Sequence, residues 1–280
     1  MSRQSPSTPP ATIDAAAMLA LIEPLTTLVI EAGVAICAVR RGTVNVNKKS
    51  DGSPVTQADL AADRIIADGL ARLCPHVRML SEERAAGVAT PFENSFFLID
   101  PLDGTKEFIA GRDEFTVNLA LVTDGVPALG IVGAPALGLV WRGIVGHGAE
   151  RIRIDGDTSA RAVEPIHTRP HPPGSPWRAA VSRSHGDPDT EAFIARLPSA
   201  TTETLGSALK FCHVADGRID IYPRLSPTSE WDIGAGHAVV VAAGGRVADS
   251  KGHALRFGTG RNNFLVPDFI AWGDPTATPF

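Results

Sequence analysis

The chain has 280 residues, 44% of them hydrophobic and 20% charged, with a formal net charge of −5. That is ample apolar material for one large soluble domain or two joined halves, and the acidic balance argues against a nucleic-acid-coating role. Cys37, Cys74 and Cys212 lie far apart and in no CxxC pair, which argues against a disulfide framework or zinc ribbon and favours a reducing compartment.

Residues 1–12, MSRQSPSTPPAT, are polar and proline-rich and read as a disordered tail without the apolar segment of a signal peptide. Residues 13–40 predict a buried amphipathic helix, kinked or broken near Pro24. Glu23, Pro24 and Glu31 interrupt it too often for a bilayer span. In the polar loop that follows, Asn47, Lys48 and Lys49 read as solvated charge or as a flap over a phosphate. Thr56 then caps a helix with Leu60, Ile66, Leu70 and Leu73 as its apolar face, ending before Pro75.

VRML and FFLID are apolar runs of strand length. From Phe115 to Ile154, FTVNLALV, ALGIV, GLVWRGIV and ERIRI predict an antiparallel meander punctuated by Asp-Gly, Ala-Pro and Gly-His-Gly. The linker-like PIHTRPHPPGSP (165–176) divides an N-terminal α+β half, 13–164, from a C-terminal α/β half, 165–280. The second half predicts a strand at Ala179–Ser182, helices at Thr190–Leu197 and Ser207–Ala215, and a strand at Ile219–Tyr222. A helix at Glu230–Ala243, closed by Gly244-Gly245, comes last. Strands followed by helices in both halves imply layered sheets and helices.

The chemistry concentrates in FFLIDPLDGTKEF (96–108). The strand is expected to end at Asp100, because Pro101 cannot donate a ladder hydrogen bond. Asp100, Asp103 and the Leu102 carbonyl can then converge from one turn, an all-oxygen set suited to Mg²⁺. Gly104 lets backbone approach a ligand, and Thr105 can open a helix whose free N–H groups receive a phosphate. The same letters also read as a plain Asx turn. Three further acids sit at element ends: Glu82 in LSEE, Asp59 in SPVTQAD and Asp232 in SEWDIGAGHA. Each is also explained by a solvated strand end or a helix dipole, so a shared multi-carboxylate site stays open at this point.

From spacing alone Lys210 in GSALKF and Arg224 in DIYPRL read first as exposed ion-pair partners, with a phosphate contact, shared with Ser207 and His185, as the alternative. His213 and His237 fall within apolar helices and read as packed. No HExxH supports zinc, and FGTGRNN lacks the Lys-Ser/Thr of a P-loop.

Taken together and in this order, SPVTQAD, LSEE, DPLDGTKEF and SEWDIGAGHAVVVAAGG resemble the inositol-monophosphatase superfamily of Mg²⁺-dependent, Li⁺-sensitive phosphatases. The resemblance covers nearly the whole chain after the tail. LIDPLDGTKEF with VSRSH, GSALKFC and DIYPR is similar to its CysQ-type branch, the 3'(2'),5'-bisphosphate nucleotidases.

The resemblance implies a layered αβαβα sandwich and two to three Mg²⁺ ions. Glu82, Asp100 and the Leu102 carbonyl would hold one ion; Asp100, Asp103 and Asp232 would hold a second. Asp59, with Glu82, would help place a third ion and the attacking water, and Thr105 would orient or deprotonate that water. Gly104, Thr105, His185, Ser207, Lys210, Arg224 and Asp232 would contact substrate. Inositol monophosphatases carry an acid where Arg224 stands, so an arginine here implies an anionic substrate. The implied activity is hydrolysis of adenosine 3',5'-bisphosphate, and of its sulfonated nucleotide precursor, within sulfate assimilation. The implied setting is cytoplasmic, at most peripheral at the inner membrane, with no polymer nucleic-acid partner, no integral membrane segment and a homodimer as in many related phosphatases. Rival readings are an inositol or fructose-1,6-bisphosphate phosphatase, or a non-catalytic nucleotide-binding module, which would be expected to lack one or more of the acids.

Overall fold

The computed structural model describes residues 12–42, 44, 46–48, 52, 54–92, 94–154 and 161–277. Residues 1–11 of the expected tail, and Lys49, lie outside the described residues.

The first helix, α1 (Ala15–Arg40), is capped by Asp14, whose carboxylate accepts from the Ala17 N–H at 2.9 Å. Pro24 lies within it and does not end it, against the expected break. A proline removes one helical hydrogen bond, and burial of the adjoining Leu25, Leu28 and Val29 holds the helix together across it. By length and composition α1 could cross a bilayer, yet it is a core helix, with Ala32 and Ile36 also fully buried. The expected peripheral membrane contact gains no support.

A short antiparallel ribbon of β1 (Val46–Lys48) and β2 (Pro54–Thr56) leads into α2 (Gln57–Leu73), with Thr56 as its cap. The buried face of α2 is Ala58, Ala62, Ile66 and Leu70, spaced by four; Leu60 and Leu73 are exposed. Small residues won the inner face because α1 packs close there, with the Leu28 side chain seated on Gly69.

Seven strands form the larger sheet in the order β3 (Arg78–Ser81), β4 (Ser95–Asp103), β5 (Thr116–Thr123), β6 (Val126–Ala134), β7 (Leu139–Ile144), β8 (Gly148–Ile154) and β9 (Arg161–Ile166). β3 runs parallel to β4 and the rest form the predicted meander. Sequence reading stopped one strand short: β9 takes up the first residues of the segment read as a linker. The short helix α3 (Thr105–Ile109) follows β4.

The smaller sheet follows, in the order β11, β10, β12, β16, β14. It comprises β10 (Arg178–Ser182), β11 (Thr201–Leu205), β12 (Ile221–Arg224), β14 (Arg246–Ala248) and β16 (Phe269–Trp272). β13 (Thr228–Ser229) and β15 (Leu265–Val266) pair separately. The helices of this half are α4 (Pro188–Ala195), α5 (Leu209–Ala215) and α6 (Glu230–Ala242).

Three apolar clusters make the layering explicit. α1 and α2 pack on one face of the larger sheet, α5 and α6 fill the space between the sheets, and α4 covers the outer face of the smaller sheet. This is the expected αβαβα sandwich. β4 shows why its sequence is continuously apolar: Phe97 and Ile99 face α1 and α2, whereas Phe96 and Leu98 face the inner layer.

α6 lies so close to β6 that a Cβ on Gly130 would stand 2.2 Å from the Ala235 carbonyl oxygen. Gly130→Ala is therefore expected to cost about 1–3 kcal/mol or more of unfolding free energy, read as a lower denaturant midpoint. His237, on the same helix, is buried against the Phe257 ring, and its Nδ1 has no partner among the described residues. Burial pushes its pKa down to about 4. A folded value below the unfolded one, about 6.5, gives stability that is complete above that pH and is lost as pH falls towards 4, by about 3 kcal/mol. His237→Leu is expected to flatten this part of the acid limb in thermal melts taken from pH 7 to pH 4.

Candidate active site

One strand end sets the site. β4 continues through Pro101 to Asp103 instead of stopping at Asp100, and its pairing with β5 slips between the two aspartates: Asp100 faces Asn118, Asp103 faces Thr116. The slip accommodates the proline and leaves both carboxylates at the sheet edge. Asp100 is buried, with Oδ1 accepting from the Leu102 N–H at 3.0 Å. Asp103 Oδ2 accepts from Asn118 Nδ2 at 3.3 Å, and Asn118 is itself fixed by the Thr116 hydroxyl at 2.9 Å.

The chain then turns at Gly104, whose φ of 88° lies in the left-handed region. A Cβ here would press on the Glu114 carbonyl at 3.1 Å and on the Ser207 side chain at 3.3 Å, so the turn demands glycine on both counts. Thr105 follows. Its hydroxyl lies 3.1 Å from both Asp59 Oδ1 and the Leu102 carbonyl oxygen. Asp59 is buried behind Thr105 and does not line the cleft. Its Oδ2 accepts from the Thr56 N–H at 2.7 Å and the Thr56 hydroxyl at 2.6 Å, closing a reciprocal cap on α2. A second such cap holds Asp232 at the start of α6, where Oδ2 accepts from the Ser229 N–H at 3.1 Å and from the Thr228 hydroxyl.

Glu82, Asp100, Leu102, Asp103 and Asp232 thus line one cleft, although they come from three separate stretches of chain. Gly104, Thr105, His185, Ser207, Lys210 and Arg224 line the same cleft, leaving Asp59 as the one expected site residue set back from it. Among the described residues, no three acidic, histidine or cysteine side chains close into a ready-made metal cage, so the acids face a shared space without a complete coordination shell.

The electrostatics of that space are adverse without a cation. Burial, then Glu82, Asp103 and Asp232, push the Asp100 carboxyl well above the usual range. Burial and Asp232 push Asp103 up to about 7, with Lys210 and Asn118 working against the rise. Lys210 is itself buried, and that burial brings its ammonium down to about 8 despite Asp103. Hard oxygen donors, uncompensated and partly desolvated, are what a divalent cation such as Mg²⁺ requires, so the residues present fit one.

The same cleft also carries basic residues. Lys210 Nζ donates to the Ser207 carbonyl at 2.6 Å and the Leu205 carbonyl at 3.3 Å, and lies 5.2 Å from the Tyr222 ring centre. Arg224 Nη2 donates to the Pro227 carbonyl at 3.1 Å. The Arg224 Nε and the Ser207 hydroxyl are buried with no partner among the described residues. His185 Nε2 is 3.3 Å from Lys106 Nζ; burial and that ammonium lower its pKa.

Sequence reasoning missed several supports. Thr116 and Asn118 were visible as two polar letters on one face of an otherwise apolar strand, FTVNLALV. Glu114 accepts a forked pair from Arg183 at 2.7 and 2.8 Å and the Gly206 N–H at 2.8 Å, tying the turn before β5 to the smaller sheet. Glu107, buried at the cleft, accepts from the Ser184 hydroxyl. No local pattern announces either of these long-range bonds.

Comparison with known proteins places the family and the fold. Residues 18–275 match the inositol monophosphatase family. The chain is 41% identical over 242 residues to the 3'(2'),5'-bisphosphate nucleotidase CysQ of Escherichia coli K12, covering 85% of this chain and 94% of that protein. The Salmonella typhimurium nucleotidase CysQ is 40% identical over 253 residues, 89% of this chain and 98% of that one. Among solved structures, CysQ of Bacteroides thetaiotaomicron superposes with a TM-score of 0.76 at 30% identity, covering 91% of this chain and 97% of its own. The Thermotoga maritima IMPase gives 0.70 at 28%, with coverage of 89% and 91%.

Because the acids repel one another, Asp103→Asn is expected to raise the thermal midpoint of the metal-free protein at pH 8. The same change is expected to shrink the further rise produced by millimolar Mg²⁺. Scanning calorimetry with and without the ion reads both effects without reference to turnover.

Proposed function

This chain belongs to the inositol monophosphatase family, and on that premise we propose that it is a Mg²⁺-dependent 3'(2'),5'-bisphosphate nucleotidase converting adenosine 3',5'-bisphosphate to AMP and phosphate. The observation that carries this reading is a single cleft that brings the acids Glu82, Asp100, Asp103 and Asp232 together with the cations Lys106, Lys210 and Arg224. The acids suit metal and a scissile phosphate; the cations suit the phosphate that stays.

Glu82, Asp100, the Leu102 carbonyl, Asp103 and Asp232 would hold the Mg²⁺. When bound, the ion supplies Lewis acidity, neutralising phosphoryl oxygens and acidifying a coordinated water. The residues do the rest. Thr105, with its hydroxyl hydrogen directed to Asp59, presents a lone pair to the cleft and orients the incoming water; Asp59, locked by Thr56, keeps that rotamer fixed. Gly104 and Thr105 offer N–H groups to the phosphoryl oxygens. Water replaces the ester oxygen at phosphorus, and one of its protons ends on the departing 3'-hydroxyl.

Arg224 holds the second phosphate through Nε, which has no partner among the described residues, and Ser207 donates its hydroxyl beside it. Tyr222, buried in the same cleft beside Arg224, backs the guanidinium. An acid at position 224 would favour a polyol; the arginine favours an anion. Three free cysteines suit a reducing cytoplasm, and removal of this by-product serves sulfate assimilation.

Asp103→Asn is expected to lower kcat at least ~100-fold even at saturating Mg²⁺. Arg224→Glu is expected to lower kcat/KM for adenosine 3',5'-bisphosphate about 10–100-fold, chiefly through KM. Initial rates on adenosine 3',5'-bisphosphate, inositol monophosphate and fructose 1,6-bisphosphate, measured as released phosphate, test the substrate assignment. Equal or faster cleavage of inositol monophosphate would defeat it.

A further inference from the structure

Next to the catalytic cleft lies a second cavity of about 400 Å³, within the ~300–1,000 Å³ range of ligand pockets. The two share a wall made of Ser182, His185, Tyr222 and Arg224. Past that wall the lining changes character. Val181, Ile194, Ala195 and Pro223 make it mainly aliphatic, and the charged groups are two acids, Asp187 and Glu191, against Arg224 at the junction. That balance is wrong for a second phosphate and right for a flat apolar group with a polar edge.

The two acids differ in what they are free to do. Asp187 caps α4, its Oδ1 accepting from the Thr190 N–H at 2.8 Å, and the Thr190 hydroxyl is in turn taken by the Leu225 N–H at 2.8 Å. The Glu191 carboxylate accepts no hydrogen bond among the described residues. Its Oε1 stands 3.8 Å from where a Cβ on Gly186 would be, beside the loop that carries His185. A carboxylate is an acceptor only, so it pairs with an amino group on a base and repels a carbonyl oxygen in the same place.

We propose that this second cavity is the base subsite of the nucleotide, and that Glu191 selects a 6-aminopurine over a 6-oxopurine. Arg224, common to both cavities, then marks the point where phosphate recognition ends and base recognition begins. The inference rests on the nucleotidase reading above.

The test compares kcat/KM for adenosine 3',5'-bisphosphate, inosine 3',5'-bisphosphate and 4-nitrophenyl phosphate in the Mg²⁺-loaded enzyme. Wild type is expected to prefer the adenosine compound over the inosine compound about tenfold. Glu191→Gln, whose amide can accept from one base or donate to the other, is expected to reduce that preference to within about twofold. Ala195→Trp, which fills an exposed part of the cavity, is expected to lower the ratio of adenosine bisphosphate to 4-nitrophenyl phosphate cleavage by about tenfold; a ratio is insensitive to the fraction of enzyme that folds. Both ratios standing at their wild-type values would place the base elsewhere and overturn the inference while leaving the nucleotidase reading intact. A loss in Ala195→Trp with an undiminished base preference in Glu191→Gln would overturn the role of Glu191. No cleavage of either nucleotide by wild type, with 4-nitrophenyl phosphate still hydrolysed, would remove the nucleotidase reading and this inference with it.

Discussion

Like charge confined out of water governs this molecule. Asp100 and Asp103 are fixed at the end of one strand, Glu82 follows the strand beside it, and Asp232 opens a helix from the far end of the chain. Each raises the proton affinity of its neighbours, and the one buried ammonium nearby, Lys210, offsets only part of that. Such an arrangement opposes folding and survives because apolar layers on both sides hold it in place. The fold itself thus raises the proton affinity of these carboxyls, and their oxygens are the kind of donor that a divalent cation fits.

The supports of the site are as informative as the acids. Two reciprocal helix caps do double work: Thr56 with Asp59 and Ser229 with Asp232 satisfy helix N-termini and at the same time fix carboxylates in or behind the cleft. In this way the general rule that acids prefer first helical turns becomes a positioning device. The aspartate held inside the cap, Asp59, touches the residues of the cleft through the Thr105 hydroxyl and does not line the cleft itself.

Much of this was legible from the letters. The Thr56 cap, the meander and the α6 span follow from local pattern and stand in the structure; Glu82, Asp100, Asp103 and Asp232 line one cleft, although among the described residues no three of them close into a metal cage. What failed did so for physical reasons. Leu60 and Leu73 were assigned inward because they are large, but tight packing of α1 on α2 required alanines there. Pro101 reads as a strand stop and Pro24 as a kink or break, and burial on both sides carries the strand and the helix through them. Glu107, Glu114 and Arg183 escaped notice because their partners are tens of residues away, and a charged residue whose partner is distant looks like any solvated one.

The placement of α6 has a consequence for motion. It is clamped between two sheets, with Gly130 of one beneath its backbone and the Phe211 ring packed on Gly236. A rigid rod in that position cannot tilt or slide without tearing both interfaces. The first turn of the rod carries Asp232, so that carboxylate shares the rod's fixed position, whereas Pro54 of β2 and His185 reach the same cleft from a short ribbon and a loop. The cleft is thus anchored unevenly, in part on the tightly packed central helix and in part on connections between elements.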